Sequence, residues 1–163
     1  LPVKSTYQSP KTLGVDRAAA AVGANFLYPN NNCLVIDLGT CITYDLIDAS
    51  GIHRGGGISP GIEMRLKSMH KFTSKLPIVN VKGTPELIGK TTADCMRSGS
   101  IWGTIAELEG IIARYRHFYN NLTIIICGGD TFFFESKIKD HIFANPNLVL
   151  IGLNQILRFN LND

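Results

Sequence analysis

Charge is scarce in this chain of 163 residues: Asp, Glu, Lys and Arg together make 18%, and 16 basic residues against 13 acidic ones leave a net +3. That balance excludes a disordered acidic or basic tail. The basic residues are scattered, with no Lys/Arg run interleaved with aromatics, so the footprint of a nucleic-acid binder is missing. No apolar run is long enough to suggest a helix through a bilayer. Repeats, low-complexity tracts and Cys-x-x-Cys pairs are absent too. Cys33, Cys41, Cys95 and Cys127 stand far apart, and Cys33, Cys41 and Cys127 lie in or beside apolar strand-like runs. They read as buried thiols of a reducing, cytoplasmic compartment. His53, His70, His117 and His141 make no i, i+4 pair with one another or with an acid, which argues against zinc. The chain opens on Leu1 with no n-region, h-region or cleavage site, and it reads as a fragment.

What is present is 45% hydrophobic residue, enough for one domain with a sizeable core. Leu1 to Gly14 reads as an extended lead-in. Asp16 then starts a helix through the helix formers Ala18 to Ala21, with its acid suited to the positive helix N-terminus. Pro29-Asn30-Asn31-Asn32 marks the following loop. Residues 1–32 are thus taken as a lead-in segment and helix, and 33–163 as the main domain.

Three strands follow, at about 33–37, 41–47 and 52–58, and the short turns between them predict antiparallel neighbours. Ser59-Pro60 predicts the N-cap and first turn of a helix reaching about Phe72. Residues 76–81 read as a short edge strand. Over 92–119, Met96, Ile101, Ile105, Leu108, Ile112 and Tyr115 recur at helical steps, giving one long helix or two stacked ones. Beyond it, 122–127 reads as a strand, 132–142 as a helix, 148–151 as a strand and 153–159 as a closing helix. That order describes an α/β, ribonuclease-H-like domain of the actin, Hsp70 and sugar kinase superfold: three antiparallel strands, then alternating helices and strands.

The chemistry concentrates at Val35-Ile36-Asp37-Leu38-Gly39-Thr40-Cys41, where an apolar strand breaks at a tight turn with an acid, a glycine and a hydroxyl. Backbone N–H groups around Gly39 can face an anion, the Thr40 hydroxyl can donate to a phosphate oxygen and Asp37 can hold a cation. An ordinary hairpin turn has the same letters. Upstream, Gly14-Val15-Asp16-Arg17 offers a carboxylate to take a hydroxyl proton and a guanidinium to hold an anion. It also fits a helix-start acid beside a surface arginine. Gly55-Gly56-Gly57-Ile58-Ser59-Pro60-Gly61 suits either close approach of a ligand or a sharp packed turn. Gly83 to Thr91 nearly spells a P-loop, but one residue too many separates Gly83 from Gly89, so that reading fails. Gly89-Lys90-Thr91-Thr92 can be a helix cap, and Cys127-Gly128-Gly129-Asp130 ends a strand where α/β sheets tend to bind ligands, or makes a plain turn.

Taken together and in this order, Gly-x-Asp-Arg, Ile-Asp-x-Gly-Thr, Gly-Gly-x-Ile-x-Pro-Gly and Gly-x-x-Thr resemble type III pantothenate kinases from Tyr7 to Leu153. The resemblance implies transfer of phosphate from ATP to pantothenate, the first step of coenzyme A biosynthesis. It makes Asp16 the proton acceptor, with Tyr7, Gly14, Val15, Asp16, Arg17 and a partner copy's Thr92 around pantothenate in a homodimer. Thr40, Gly39, Gly128 and Gly129 would contact ATP, Asp37 would hold K+ or NH4+, and Mg2+ would accompany the nucleotide. Cys41 stands where many members have alanine. The family's first phosphate loop, Asp-x-Gly-Asn-Thr/Ser, has no match here, so the sequence reads as a C-terminal portion, inactive by itself. Two other readings stay open: an accessory or regulatory protein without enzymatic activity on the same fold, and a sugar or acetate kinase of the superfold.

Overall fold

The computed structural model describes residues 1–162. Six strands form one sheet: β1 (Lys4–Ser5), β2 (Asn32–Leu38), β3 (Cys41–Ile47), β4 (Ile52–Pro60), β5 (Leu122–Cys127) and β6 (Phe143–Ala144). They lie in the order β1-β4-β3-β2-β5-β6. The central strands β2, β3 and β4 are antiparallel neighbours, as their short turns predict, while β5 joins β2 in parallel after a long helical crossover. Residues 1–32 belong to the same body, because β1 pairs with β4 and the first helix packs on the sheet.

Five helices cover the two faces: α1 (Val15–Leu27), α2 (Ile62–Lys71), α3 (Thr92–Phe118), α4 (Thr131–Glu135) and α5 (Leu148–Asn162). Alternation along β2 sends Leu34, Ile36 and Leu38 to the face under α2 and α3, where they meet Leu66, Ile101, Ile105 and Leu108. Cys33 and Val35 point the other way and meet Ala20, Ala21 and Ala24 of α1 and Leu148 of α5. The two helices on that face cross closely, since a Cβ on Gly152 would overlap the Ala19 carbonyl. The alanines of α1 serve this approach as much as they serve helix propensity.

Several expected elements differ. Ser59 and Pro60 end β4 instead of opening a helix, because the ladder with β3 continues to the Cys41–Pro60 pair. Pro60 loses nothing there: its missing N–H faces the unpaired edge beyond the two-residue β1. Gly61 is the cap of α2, and its N–H goes to Thr40 O at 3.0 Å. Residues 148–151 are the first turn of α5, opened by an Asn145-Pro146 turn in which Asn145 Oδ1 accepts from the Asn147 N–H at 3.1 Å. The helix expected over 132–142 stops at Glu135, since Ile138 drops into the core and Phe143 must reach β5. No strand forms at 76–81; Val79 is buried there and Arg97 Nε holds Asn80 O at 3.1 Å. Cys33 and Cys127 are buried as expected, whereas Cys41 is half-buried and Cys95 exposed, on the outward side of α3.

Candidate functional site

The carboxyl ends of β2 and β5 lie side by side, and register places Asp37 opposite Cys127. Beyond them the two turns lock together, with the Asp130 N–H donating to Leu38 O at 2.9 Å. Gly128 makes this possible. Its φ is +91°, and a Cβ there would run into Asp37 Oδ1 and lie 2.5 Å from Leu38 O. The Gly39 N–H, expected to face an anion, instead donates to Cys41 O at 3.1 Å. The free donor of this turn is the exposed Thr40 hydroxyl, which no hydrogen bond engages among the described residues.

Asp37 is half-buried, and burial pushes its carboxyl up from the usual range; the nearby charge of Asp16 adds to this, while a hydrogen bond from the Cys127 thiol opposes it and Asp45 adds a smaller push. Burial and the same carboxylate drive the Cys127 thiol far up, so it stays a neutral donor. Asp37 therefore senses Asp16, the exposed acid in the first turn of α1. Asp16 Oδ1 accepts from the Arg17 N–H at 2.8 Å, and a side chain at Gly14 would collide with that oxygen. The expected acceptor-site acid thus lies close enough to the expected phosphate turn for its charge to be felt at Asp37, with Val15 exposed between Gly14 and Asp16.

Arg17 is a buried residue, not a surface arginine. It is 6% exposed, and its two-point contact is spent on Asp45 of β3: Nε to Oδ2 at 2.9 Å and Nη2 to Oδ1 at 2.7 Å. His53 Nε2 lies 2.7 Å from the same Oδ1, with Ser5 Oγ 2.9 Å from its Nδ1. Tyr7 covers the cluster, its ring centroid 5.4 Å from the guanidinium and 6.2 Å from the His53 ring. Hydrogen bonding to Asp45 raises the guanidinium further above its ordinary value, despite desolvation. Desolvation pulls Asp45 upward, but hydrogen bonds from His53 and Arg17 outweigh it and hold the carboxyl below the usual range.

A cleft of about 570 Å³ opens from the Gly39-Thr40 turn toward α2. Asp130 stands on the same wall, and Glu63, Met64, Lys67, Ser68, Lys71 and Phe72 form the other. Its size suits a nucleotide. Gly129 is exposed and open above a would-be Cβ. The α2 wall was missed in the sequence, although Lys67 and Lys71 one turn apart just beyond a glycine-rich turn were a readable signal.

Thr91 caps α3, its hydroxyl accepting from the Asp94 N–H at 3.2 Å, and Thr92 follows, exposed. Among the described residues, no hydrogen bond joins Thr92 to α1 or to the Asp37 turn. No group of three His, Cys, Asp or Glu side chains forms a ready metal cage among the described residues. No helix of the described residues is long and apolar enough to cross a membrane.

The six-stranded mixed sheet, in the order β1-β4-β3-β2-β5-β6 with helices on both faces, is a ribonuclease-H-like fold. MreB 5 of Spiroplasma citri bound to AMPPNP shares that fold alone: its TM-score is 0.51 at 12% identity, over 90% of this chain and 60% of that one. A model of type III pantothenate kinase matches residues 1–114. The type III pantothenate kinase of Phocaeicola vulgatus is 48% identical over 160 residues, 98% of this chain, and the chain spans 66% of that relative's length. A structure from Campylobacter jejuni, described as a Baf family transcriptional activator, superposes with a TM-score of 0.68 at 26% identity, covering 99% of this chain and 70% of that one. The chain belongs to the type III pantothenate kinase family.

Proposed function

We propose that the protein carrying this chain transfers the γ-phosphoryl group of ATP to the primary hydroxyl of pantothenate, in the cytoplasm, as the first step of coenzyme A synthesis. The observation that supports this most is that the exposed Asp16 lies near enough to Asp37 for its charge to act on that turn. Asp16 is exposed and carries no cation partner among the described residues. One of its oxygens takes the Arg17 N–H, and the other is free to accept the proton of an attacking hydroxyl.

Thr40 donates to a phosphate oxygen, the open Gly129 keeps a side chain away from the nucleotide, and Gly128 lets the two turns beneath it pack closely enough to offer their backbone, Gly39 included, to ATP. Asp37, a partly buried carboxylate with Asp16 and Asp45 near it, is in a place where a cation is electrostatically welcome. It would hold K+ or NH4+, and Mg2+ would be bound chiefly by nucleotide oxygens, as that ion usually is. These cations supply charge neutralisation when bound. Arg17 acts as a positioning residue: by gripping Asp45 it fixes the start of α1, and Tyr7 with it, against the sheet.

Thr92 joins the acceptor site from a second copy. Gly99 and Gly103 lie exposed one turn apart on α3, with open space above each, and let another helix approach closely.

The test is ADP release by the full-length protein with pantothenate, acetate or a hexose as acceptor. Release with pantothenate alone is expected. Release only with another acceptor would make it a different kinase of the superfold. No release with any acceptor would favour the accessory reading, to which the description of the Campylobacter structure points.

A further inference from the structure

The cleft beside Thr40 ends on an aromatic ring that the phosphate chemistry does not use. Phe72 caps α2, lines the cleft and is 79% exposed, an expensive place for an apolar ring unless something covers it. Lys71, next to it, puts Nζ 5.8 Å from the ring centroid and lines the same cleft. The two lysines of this wall are not equivalent. Lys67 is neutralised by Glu63 at 2.8 Å, while Lys71 has no carboxylate partner among the described residues. On the α2 wall, groups able to read a base edge are few, and the cleft carboxylate without a cation partner among the described residues, Asp130, stands on the Thr40 wall. The Ser68 hydroxyl is spent on Arg65 O at 2.8 Å, and Glu63 is held by Lys67.

Resting on the reading of this cleft as the phosphoryl-donor site, we propose that Phe72 is the platform on which the donor's nucleobase stacks and that Lys71 supplies the unpaired cation for its polyphosphate. Such a site grips the phosphates by charge and the base by its π-face. Every base offers a π-face, so the site discriminates poorly among purine nucleoside triphosphates.

The experiment uses the full-length protein with two readouts: equilibrium binding of ADP, GDP and inorganic tripolyphosphate, and steady-state kinetics with ATP and GTP. Phe72→Ala is expected to weaken ADP and GDP binding alike by about tenfold or more, the scale of losing one base–aromatic stack. It should leave binding of tripolyphosphate unchanged, and Phe72→Trp should restore nucleotide affinity. Lys71→Gln should weaken tripolyphosphate as well as both nucleotides. Phe72 is exposed, so these variants are expected to fold, and circular dichroism confirms it. The binding arm stands apart from the pantothenate assay: Phe72-dependent ADP binding without phosphate transfer would sustain the platform and sink the activity. Unchanged nucleotide affinity in Phe72→Ala, or wild-type binding of ADP far tighter than GDP, would overturn the platform.

Discussion

Arg17 grips Asp45 through two parallel hydrogen bonds in the protein interior, joining the start of α1 to the middle of β3. The pair is a scaffold for the acid beside it. Asp45→Asn would leave a buried guanidinium without its counter-charge, so a loss of about 3–5 kcal/mol in denaturant unfolding is expected. The Asp45 carboxyl sits below its ordinary range in the folded state. Its contribution is therefore fully present above about pH 4, the unfolded value, and is lost as pH falls through the lower folded value. A variant with unchanged stability at pH 7 would contradict this.

Asp37 has the opposite sign. Its folded carboxyl is raised by burial and by Asp16, so the folded state binds the proton more tightly than the unfolded chain does. Stability from this group is greatest below about pH 4 and declines as pH rises through the folded value. Asp37→Asn is expected to melt at a higher temperature than wild type at pH 7, with the gap closing in acid, while the cation dependence of activity is lost. A lower melting temperature at pH 7 would show that Asp37 is held by structural bonds instead.

Adjacent glycines should behave differently. Gly128→Ala combines positive φ with overlap against Asp37 and Leu38, and a loss of at least about 1 kcal/mol is expected. Gly129→Ala meets open space, so its stability should be unchanged and only nucleotide affinity reduced. Equal melting temperatures for the two variants would refute the locked-turn geometry.

If Thr92 serves the neighbouring copy, Asp16→Asn and Thr92→Arg should rescue each other. Mixed full-length variants that exchange subunits regain one intact site per heterodimer and part of the activity. Exchange without rescue would place Thr92 outside the partner's site, and a monomer in light scattering would remove the premise.

The antiparallel strands and the long helix were legible because their periodicities run over many residues and their turns are short. The start of α5 was not. Leu148-Val149-Leu150-Ile151 is apolar at every position, and a run that short has no period to separate helix from strand. The motif residues Asp16, Asp37, Thr40 and Gly128 were visible as letters, but the role of Arg17 was not. Asp45, its partner, lies 28 residues away, and only the strand register and the pitch of α1 bring the two together. The α2 wall of the cleft was missed for a related reason: its lysines read as a solvated face until the turn at Thr40 is seen opposite.

The most direct measurement is the turnover of full-length Asp16→Asn with pantothenate and ATP, beside the KM for ATP. The exposed carboxylate at the start of α1 is the proton acceptor in this account, so kcat should fall by about 100-fold or more. The KM for ATP should stay near the wild-type value, and thermal stability should change little because the side chain is solvent-facing. A fall of less than about tenfold with unchanged substrate affinities would contradict the account, leaving Asp16 as a helix-start residue and the base elsewhere.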